Sequence, residues 1–516
     1  MRTFDLTGDG PTGVTRRVDE AVRALPDRHP RALVERMGAL TDALGEPAAA
    51  DPGTAGPTGD GTAHALERLR EVLDPRDRSA VWLTLAVLGT RLPTDREVLA
   101  ASRRGMLDGP LGTVHAALDL IDTTRAPEPV RIATGEVVVD VHNTARTTFF
   151  TGIQRVAREC ARRWARDHPV TLIGWTDELT CPVELQGPGL GRLVDGAAEV
   201  PTAPRTRVVP WRSEYLIPEL AAERPRTERL HAMAAYTTTS VGAIGFDLVP
   251  LTSSETAIAG LPAEFAGHLA AAGRFSRIGT ISEAAAQEYR GWRTMLGGAG
   301  LPGPDIRSVF LAAEVVEPTA EELAASRDRL MIADLPMVLC VGSHEPRKNH
   351  MAVLQAAEDL WRKGHQFSLT FIGGNSWNSD RFHHRVTELQ NRNRPVETIS
   401  GADDSLLFSA YRLARFTVFP SLNEGFGLPV AESLASGTPV ITSDFGSMLE
   451  IAADGGALLV DPRDDQSISR GMETLLQDDA AYARLRDEAS RRDVRAWDAY
   501  AAELWDYFLD DAVAPA

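Results

Sequence analysis

Two glutamates eight residues apart, Glu424 and Glu432, flank a glycine-bearing loop and the first turn of a helix in the stretch FTVFPSLNEGFGLPVAESLASGTPVITSDFGSMLE (residues 416–450). Gly425 and Gly427 let the backbone approach a ligand closely and adopt conformations closed to other residues. Pro429 suits the start of a helix and Gly437 its end. Amides at that helix start favour an anion such as a diphosphate. One turn is about 3.6 residues, so Glu432 can face the same mouth as Glu424. Carboxylates only accept hydrogen bonds, which suits the hydroxyls of a ribose or a hexose. A second set of chemical groups lies at Gly342-Ser343-His344-Glu345-Pro346-Arg347-Lys348, after the apolar run 337–341. There Lys348 offers a point charge and Arg347 a fork for phosphate oxygens.

These groups need strands to hold them. Phe416–Phe419 reads as a strand ended by Pro420, and Val440-Ile441 begins the next one. The unit is therefore strand–loop–helix–strand, with its loop at the carboxyl end of a strand, where open α/β sheets bind ligands. Met337–Val341 and Leu369–Ile372 repeat the pattern, and Gly373-Gly374-Asn375 turns at the same mouth. Upstream, 137–141 (VVVDV) is a buried-strand run leading to Thr151 and Gly152 at a helix start. That is a second anion-friendly end or a plain tight turn. Further strands are expected at 170–173, 207–209, 241–244, 278–281 and 308–311, alternating with helices in a parallel sheet.

The run PSLNEGFGLPVAESLASGTPVI resembles the signature of family 4 glycosyltransferases of the GT-B architecture, with the family's E-x7-E element on Glu424 and Glu432. The resemblance spans roughly residues 136–510 and is densest over 337–462. It implies an α/β fold of two Rossmann-like domains facing across a cleft. The boundaries read as a mainly helical accessory domain over 1–130 with a linker near 47–62, an acceptor-side domain over 131–314, a nucleotide-sugar domain over 315–490, and a helix over 491–516 crossing back. The short helical stretch 91–110 faintly resembles a bacterial module found beside glycan-modifying enzymes, and no chemistry is placed there.

The same resemblance implies transfer of a sugar, with retention, from a nucleoside-diphosphate-sugar to a hydroxyl of a glycan or small molecule. It gives Glu424, Lys348 and Arg347 to the reacting centre, and Glu432 to the ribose. Gly152, Gly342, Gly373, Asn423, Gly425, Phe426, Gly427 and Leu428 would line the donor. Two positions depart from the family. Ser343 stands where many members carry arginine, so Arg347 either supplies that charge or faces solvent. Phe246, in GFDLVPL (245–251), stands where many carry histidine. Thr280, Ser282 and Glu283 resemble a T-x-S-E turn, with helix capping as the ordinary reading of Ser282. A glycosidase acid/base pair fits less well, since both glutamates share one loop and helix instead of facing across a cleft. A catalytically silent binding subunit, and a phosphorylase or epimerase on the same architecture, are the other readings.

Composition narrows the field. The 516 residues, 43% hydrophobic and 24% charged, suit a globular chain of two to four domains. A formal charge of −18 argues against nucleic acid as a partner. Peripheral membrane or protein contact and the oligomeric state stay open. Cys160, Cys181 and Cys340 form neither a disulfide framework nor a metal spacing. No Asp-x-Asp pair occurs, so no metal and no separate cofactor are expected. The N-terminus carries no signal pattern, and the apolar run 80–88 is too short to span a bilayer, which leads to the expectation of a cytoplasmic protein.

Overall fold

The computed structural model describes residues 29–45, 60–121, 128–147, 152–191, 193 and 205–509. The first 28 residues of the expected helical domain, Thr151, and most of the 47–62 linker lie outside them. Asp60 already opens the helix Asp60–Val72.

Short runs of β-branched and apolar residues build two sheets. The first contains β1 (Val130–Thr134), β2 (Val137–Asp140), β3 (Val170–Trp175), β4 (Pro182–Glu184), β5 (Arg207–Trp211), β6 (Glu214–Ile217), β7 (Ser240–Gly245), β8 (Arg277–Thr280) and β9 (Asp305–Ser308). Their order is β1-β5-β4-β3-β2-β6-β7-β8-β9. The second contains β10 (Met337–Val341), β11 (Ser368–Ile372), β12 (Val396–Ile399), β13 (Phe416–Phe419), β14 (Val440–Ser443) and β15 (Ala457–Val460). It runs β12-β11-β10-β13-β14-β15, with every pairing parallel. The chain therefore leaves β10 in one direction, then returns to β13 on its other side. Loops following β10 and β13 meet at the resulting switch point, the crevice where doubly wound sheets take ligands.

Several expectations change in detail. The first sheet is not wholly parallel, because β4 runs antiparallel to both β3 and β5. The strand expected at 308–311 lies earlier, at Asp305–Ser308. Val309 and Leu311 are buried without belonging to it, so apolar composition alone misplaced the strand. The helix expected from 491 begins at Trp497 and runs to Leu509, after a separate helix Asp479–Ser490.

The helices between His29 and Leu118 pack onto the first sheet: Leu33, Leu69, Trp82 and Val98 share one buried cluster with Val138, Val209 and Phe265. The Trp497–Leu509 helix returns to the first lobe, where Trp164 Nε1 donates to Ala501 O at 2.9 Å and Trp505 stacks on His168 at 3.8 Å. Among the described residues no helix is long and apolar enough to cross a membrane.

Candidate active site

The switch-point loops of the second lobe are sewn together before any side chain points outward. Leu422 N donates to Arg347 O (2.9 Å) and Ser421 Oγ to the same carbonyl (3.1 Å). Asn349, at φ +60°, donates through Nδ2 to Pro420 O and Pro462 O. Gly373 at the end of β11 has a steric reason of its own. A Cβ there would lie 1.9 Å from Gly342 O, so these two predicted donor-loop glycines pack backbone to backbone.

Inside that frame Lys348 and Arg347 converge on one carboxylate. Lys348 Nζ donates to Glu424 Oε1 at 2.6 Å, and Arg347 NH1 lies 2.7 Å from Oε2. Ser421 Oγ adds a 2.6 Å bond to Oε1. The second arm of Arg347 reaches Glu345 Oε1 at 2.8 Å, and NH1 also donates to Asn423 O at 2.6 Å. Arg347 thus turns inward, onto the two glutamates and not toward solvent. Lys348 sits 5.0 Å from the centre of the Phe419 ring, a cation–π distance. All three charged side chains are at most 15% exposed, so water screens them little.

Burial pushes the Glu424 carboxyl upward, but Arg347 and then Lys348 overrule it and hold it at about 2. Arg347 stays charged in spite of its own burial because Glu424 and Glu345 face it. His344 and His350 add no charge: burial drives both down, His350 to about 3.

The first lobe closes over this cluster. Ser282 Oγ donates to Gly425 O at 2.6 Å while it caps the Glu283–Gly298 helix by accepting from Ala285 N. Asn423 Nδ2 lies 3.2 Å from both Thr252 Oγ1 and Ser253 Oγ. Glu450 accepts from the Glu283 and Ala284 amides, and Trp377 Nε1 donates to Thr256 O. Gly425 marks the tightest approach. An added Cβ would stand 2.5 Å from Phe246 O and 2.7 Å from Asp247 Oδ2. Gly425→Ala must therefore part the lobes. It is expected to lower turnover by about 10²-fold and stability by about 1–3 kcal/mol, which steady-state kinetics and denaturant unfolding will show.

Glu432 occupies different surroundings. Its helix, Leu428–Ala435, follows Gly427 at φ +105°. Leu428 comes within 3.3 Å of where a Gly152 Cβ would lie, so these two predicted donor-loop positions meet across the lobes. Glu432 itself is 5% exposed, and Arg155 of the first-lobe helix Gly152–Asp167 donates to Oε1 at 2.6 Å. The Tyr411 hydroxyl donates to Oε2 at 3.0 Å. Burial raises the Glu432 carboxyl, an effect that Arg155 and Tyr411 only partly offset.

Phe426, expected among the donor contacts, could make them only through its backbone. Its ring is buried and packs edge-on against Phe310 at 5.0 Å, which leaves its backbone to face the loop.

Two residues gain importance that the sequence did not confer. Arg155 was only a neighbour of Gly152 in sequence. Asp247, in the loop after β7, stands beside the Arg347–Glu424 pair. Burial raises its carboxyl to about 6, with Arg347 opposing and Glu424 adding. The signal for Asp247 was the loop 245–251, read there through Phe246 alone. Among the described residues no group of His, Cys, Asp and Glu is arranged to hold a metal ion.

Residues 325–492, which contain the whole cluster, match the family described as glycosyl transferases group 1. The second lobe is a group 1 glycosyltransferase domain. Curated relatives agree. The serotype-specific mannosyltransferase WbdA of Escherichia coli is 28% identical over 246 residues, 46% of this chain and 29% of that protein. The O-antigen chain mannosyltransferase B of Escherichia coli is 36% identical over 143 residues, 28% of this chain and 37% of its own length. The chain thus spans well under half of the length of these relatives.

The fold extends beyond the matched domain. Sucrose-phosphate synthase from Thermosynechococcus elongatus superposes with a TM-score of 0.53 at 17% identity, covering 74% of this chain and 98% of that one. Anabaena HepE, solved in complex with UDP and glucose, gives 0.52 at 15% identity, covering 72% and 100%. The two lobes are the GT-B architecture, as the resemblance implied, and the group 1 domain is its second half.

Proposed function

We propose that this glycosyltransferase chain transfers a sugar, with retention and without a metal, from a nucleoside-diphosphate-sugar to an acceptor hydroxyl. The observation that carries the reading is the convergence of Arg347 and Lys348 on Glu424 at the interlobe switch point. The mannosyltransferase names of the relatives and the UDP and glucose of HepE support the same chemistry.

In this reading the anomeric C–O bond to the diphosphate breaks and its electron pair stays on the leaving oxygen. Fixed cations aimed at that oxygen lower the barrier by preorganised electrostatics. Lys348, with Arg347, meets the diphosphate, and the Leu428–Ala435 helix start adds its amides. Glu424 holds the two cations in place and keeps one acceptor position for a sugar hydroxyl, since a carboxylate offers about four acceptor positions and Glu424 uses three here. Glu432 takes the ribose. The acceptor oxygen bonds to the anomeric carbon on the face the diphosphate leaves, and its proton passes to the leaving oxygen.

The test is a thermal-shift screen against UDP, GDP, ADP and TDP in excess EDTA. A nucleotide at 100 times its dissociation constant adds about 2.7 kcal/mol. One of the four is expected to give that shift, and donor turnover is expected to persist in EDTA. A shift that appears only when Mg²⁺ or Mn²⁺ is restored would refute the metal-free part; no shift with any nucleotide would refute the donor class.

A further inference from the structure

A cavity of about 180 Å³ opens beside Arg347 on the first-lobe side of the cleft. Ile153, Leu220, Phe246, Val249, Phe265 and Tyr289 are among the residues that line it. Three of its polar side chains are already engaged. Trp377 gives its indole N–H to Thr256 O, Thr256 Oγ1 donates to Ser253 O, and Arg347 is held by Glu345 and Glu424. Asp247 differs. Its Oδ1 accepts from Val249 N at 3.1 Å, while Oδ2 faces Gly425, next to the reacting cluster.

A hydroxylated sugar ring placed here would leave several hydroxyls without partners, and each unpaired buried hydroxyl is costly. An apolar group loses nothing comparable. An apolar cavity of about 150 Å³ is known to hold benzene, so this one has room for a single aromatic ring or a branched alkyl group of that size. We propose that the cavity receives the apolar end of a hydroxyl-bearing acceptor, whose hydroxyl is presented to the anomeric carbon by a hydrogen bond to Asp247 Oδ2. Asp247 orients that hydroxyl, and the proton still leaves with the diphosphate oxygen. The Phe246 ring is part of the wall that makes the site apolar. The assignment rests on the glycosyltransferase reading and narrows its acceptor from any hydroxyl to an amphiphilic one.

Ligand-observed saturation-transfer NMR on the full chain tests it with benzyl alcohol, toluene and methyl α-D-mannopyranoside as probes. Benzyl alcohol is expected to bind, at least 10-fold more weakly to Leu220→Trp, which fills the cavity, and to Asp247→Asn, which keeps its shape. Toluene binding is expected to fall only in Leu220→Trp, and the mannoside is expected to give no signal. A mannoside that binds while benzyl alcohol does not, or benzyl alcohol indifferent to both substitutions, overturns the proposal. Nucleotide binding measured on the same sample separates the two readings. A nucleotide shift without benzyl alcohol binding sinks the amphiphilic acceptor alone; benzyl alcohol binding without any nucleotide shift removes the acceptor role because the donor reading has failed.

Discussion

Glu424→Gln is expected to lower turnover by about 10²–10³-fold and yet to bind nucleoside diphosphate at least as well as the native chain. Glu424 is the anion that Arg347 and Lys348 share, at 2.7 and 2.6 Å. Removing its charge leaves two poorly screened cations with Glu345 and Asp247 still facing Arg347, and breaking such a buried pair costs about 3–5 kcal/mol. A diphosphate supplies the missing charge. Its stabilising shift should therefore be larger in the variant than in the native chain. Native stability should also carry an acid signature. The Glu424 carboxyl sits near 2 in the fold against an ordinary 4.5, so its contribution is complete above about 4.5 and is lost as pH falls toward 2. The variant lacks that component. Denaturant unfolding from pH 2.5 to 7, with and without nucleotide, reads both effects. Unchanged turnover, or equal nucleotide shifts in the two proteins, would remove Glu424 from the reacting centre.

The second lobe was readable because its signals are local. Pro420, Gly427, Pro429 and Gly437 punctuate one strand, one loop and one helix within twenty residues, and Lys348 lies a few residues past a plain apolar strand. The first lobe was harder for a physical reason: its strands are short and its stabilising contacts are distant in sequence. β5 and β6 are separated only by Arg212 and Ser213, Arg212 taking φ +51°, so β6 left no separate apolar run. Asp140, Glu219 and Arg226 form a fully buried ion cluster at the ends of β2 and β6, but in sequence they are ordinary charged residues. The amphipathic pattern of the helices of 29–118 shows that they bury a face without showing against what. In the fold that face meets the first sheet.

Arg155 is the clearest case of a role visible only in three dimensions, and it carries the second large effect. Its guanidinium crosses between lobes to Glu432, 277 residues away. It lies 6.0 Å from the Phe408 ring and 5.9 Å from the Trp497 ring. Arg155→Met keeps the length and apolar contact of the side chain but removes the charge. The groups facing Glu432 are then the Tyr411 hydroxyl, which donates to it, and Asp404, whose charge works against its ionisation. The sign follows from the direction of the shift. Burial already raises the Glu432 carboxyl above its unfolded value, so the folded state favours the protonated form and loses stability as pH rises through the folded value. Without Arg155 that value climbs further. The variant is therefore expected to lie closest to native stability near pH 5 and to fall short by as much as about 3–5 kcal/mol near pH 8, with nucleotide affinity below the native value wherever the native carboxyl is ionised and the variant's stays protonated. Arg155→Lys, which restores a charge without the fork, should recover part of both. A deficit of equal size at pH 5 and pH 8 would mean that Arg155 acts by packing alone, and that Glu432 is held ready for the ribose by some other group.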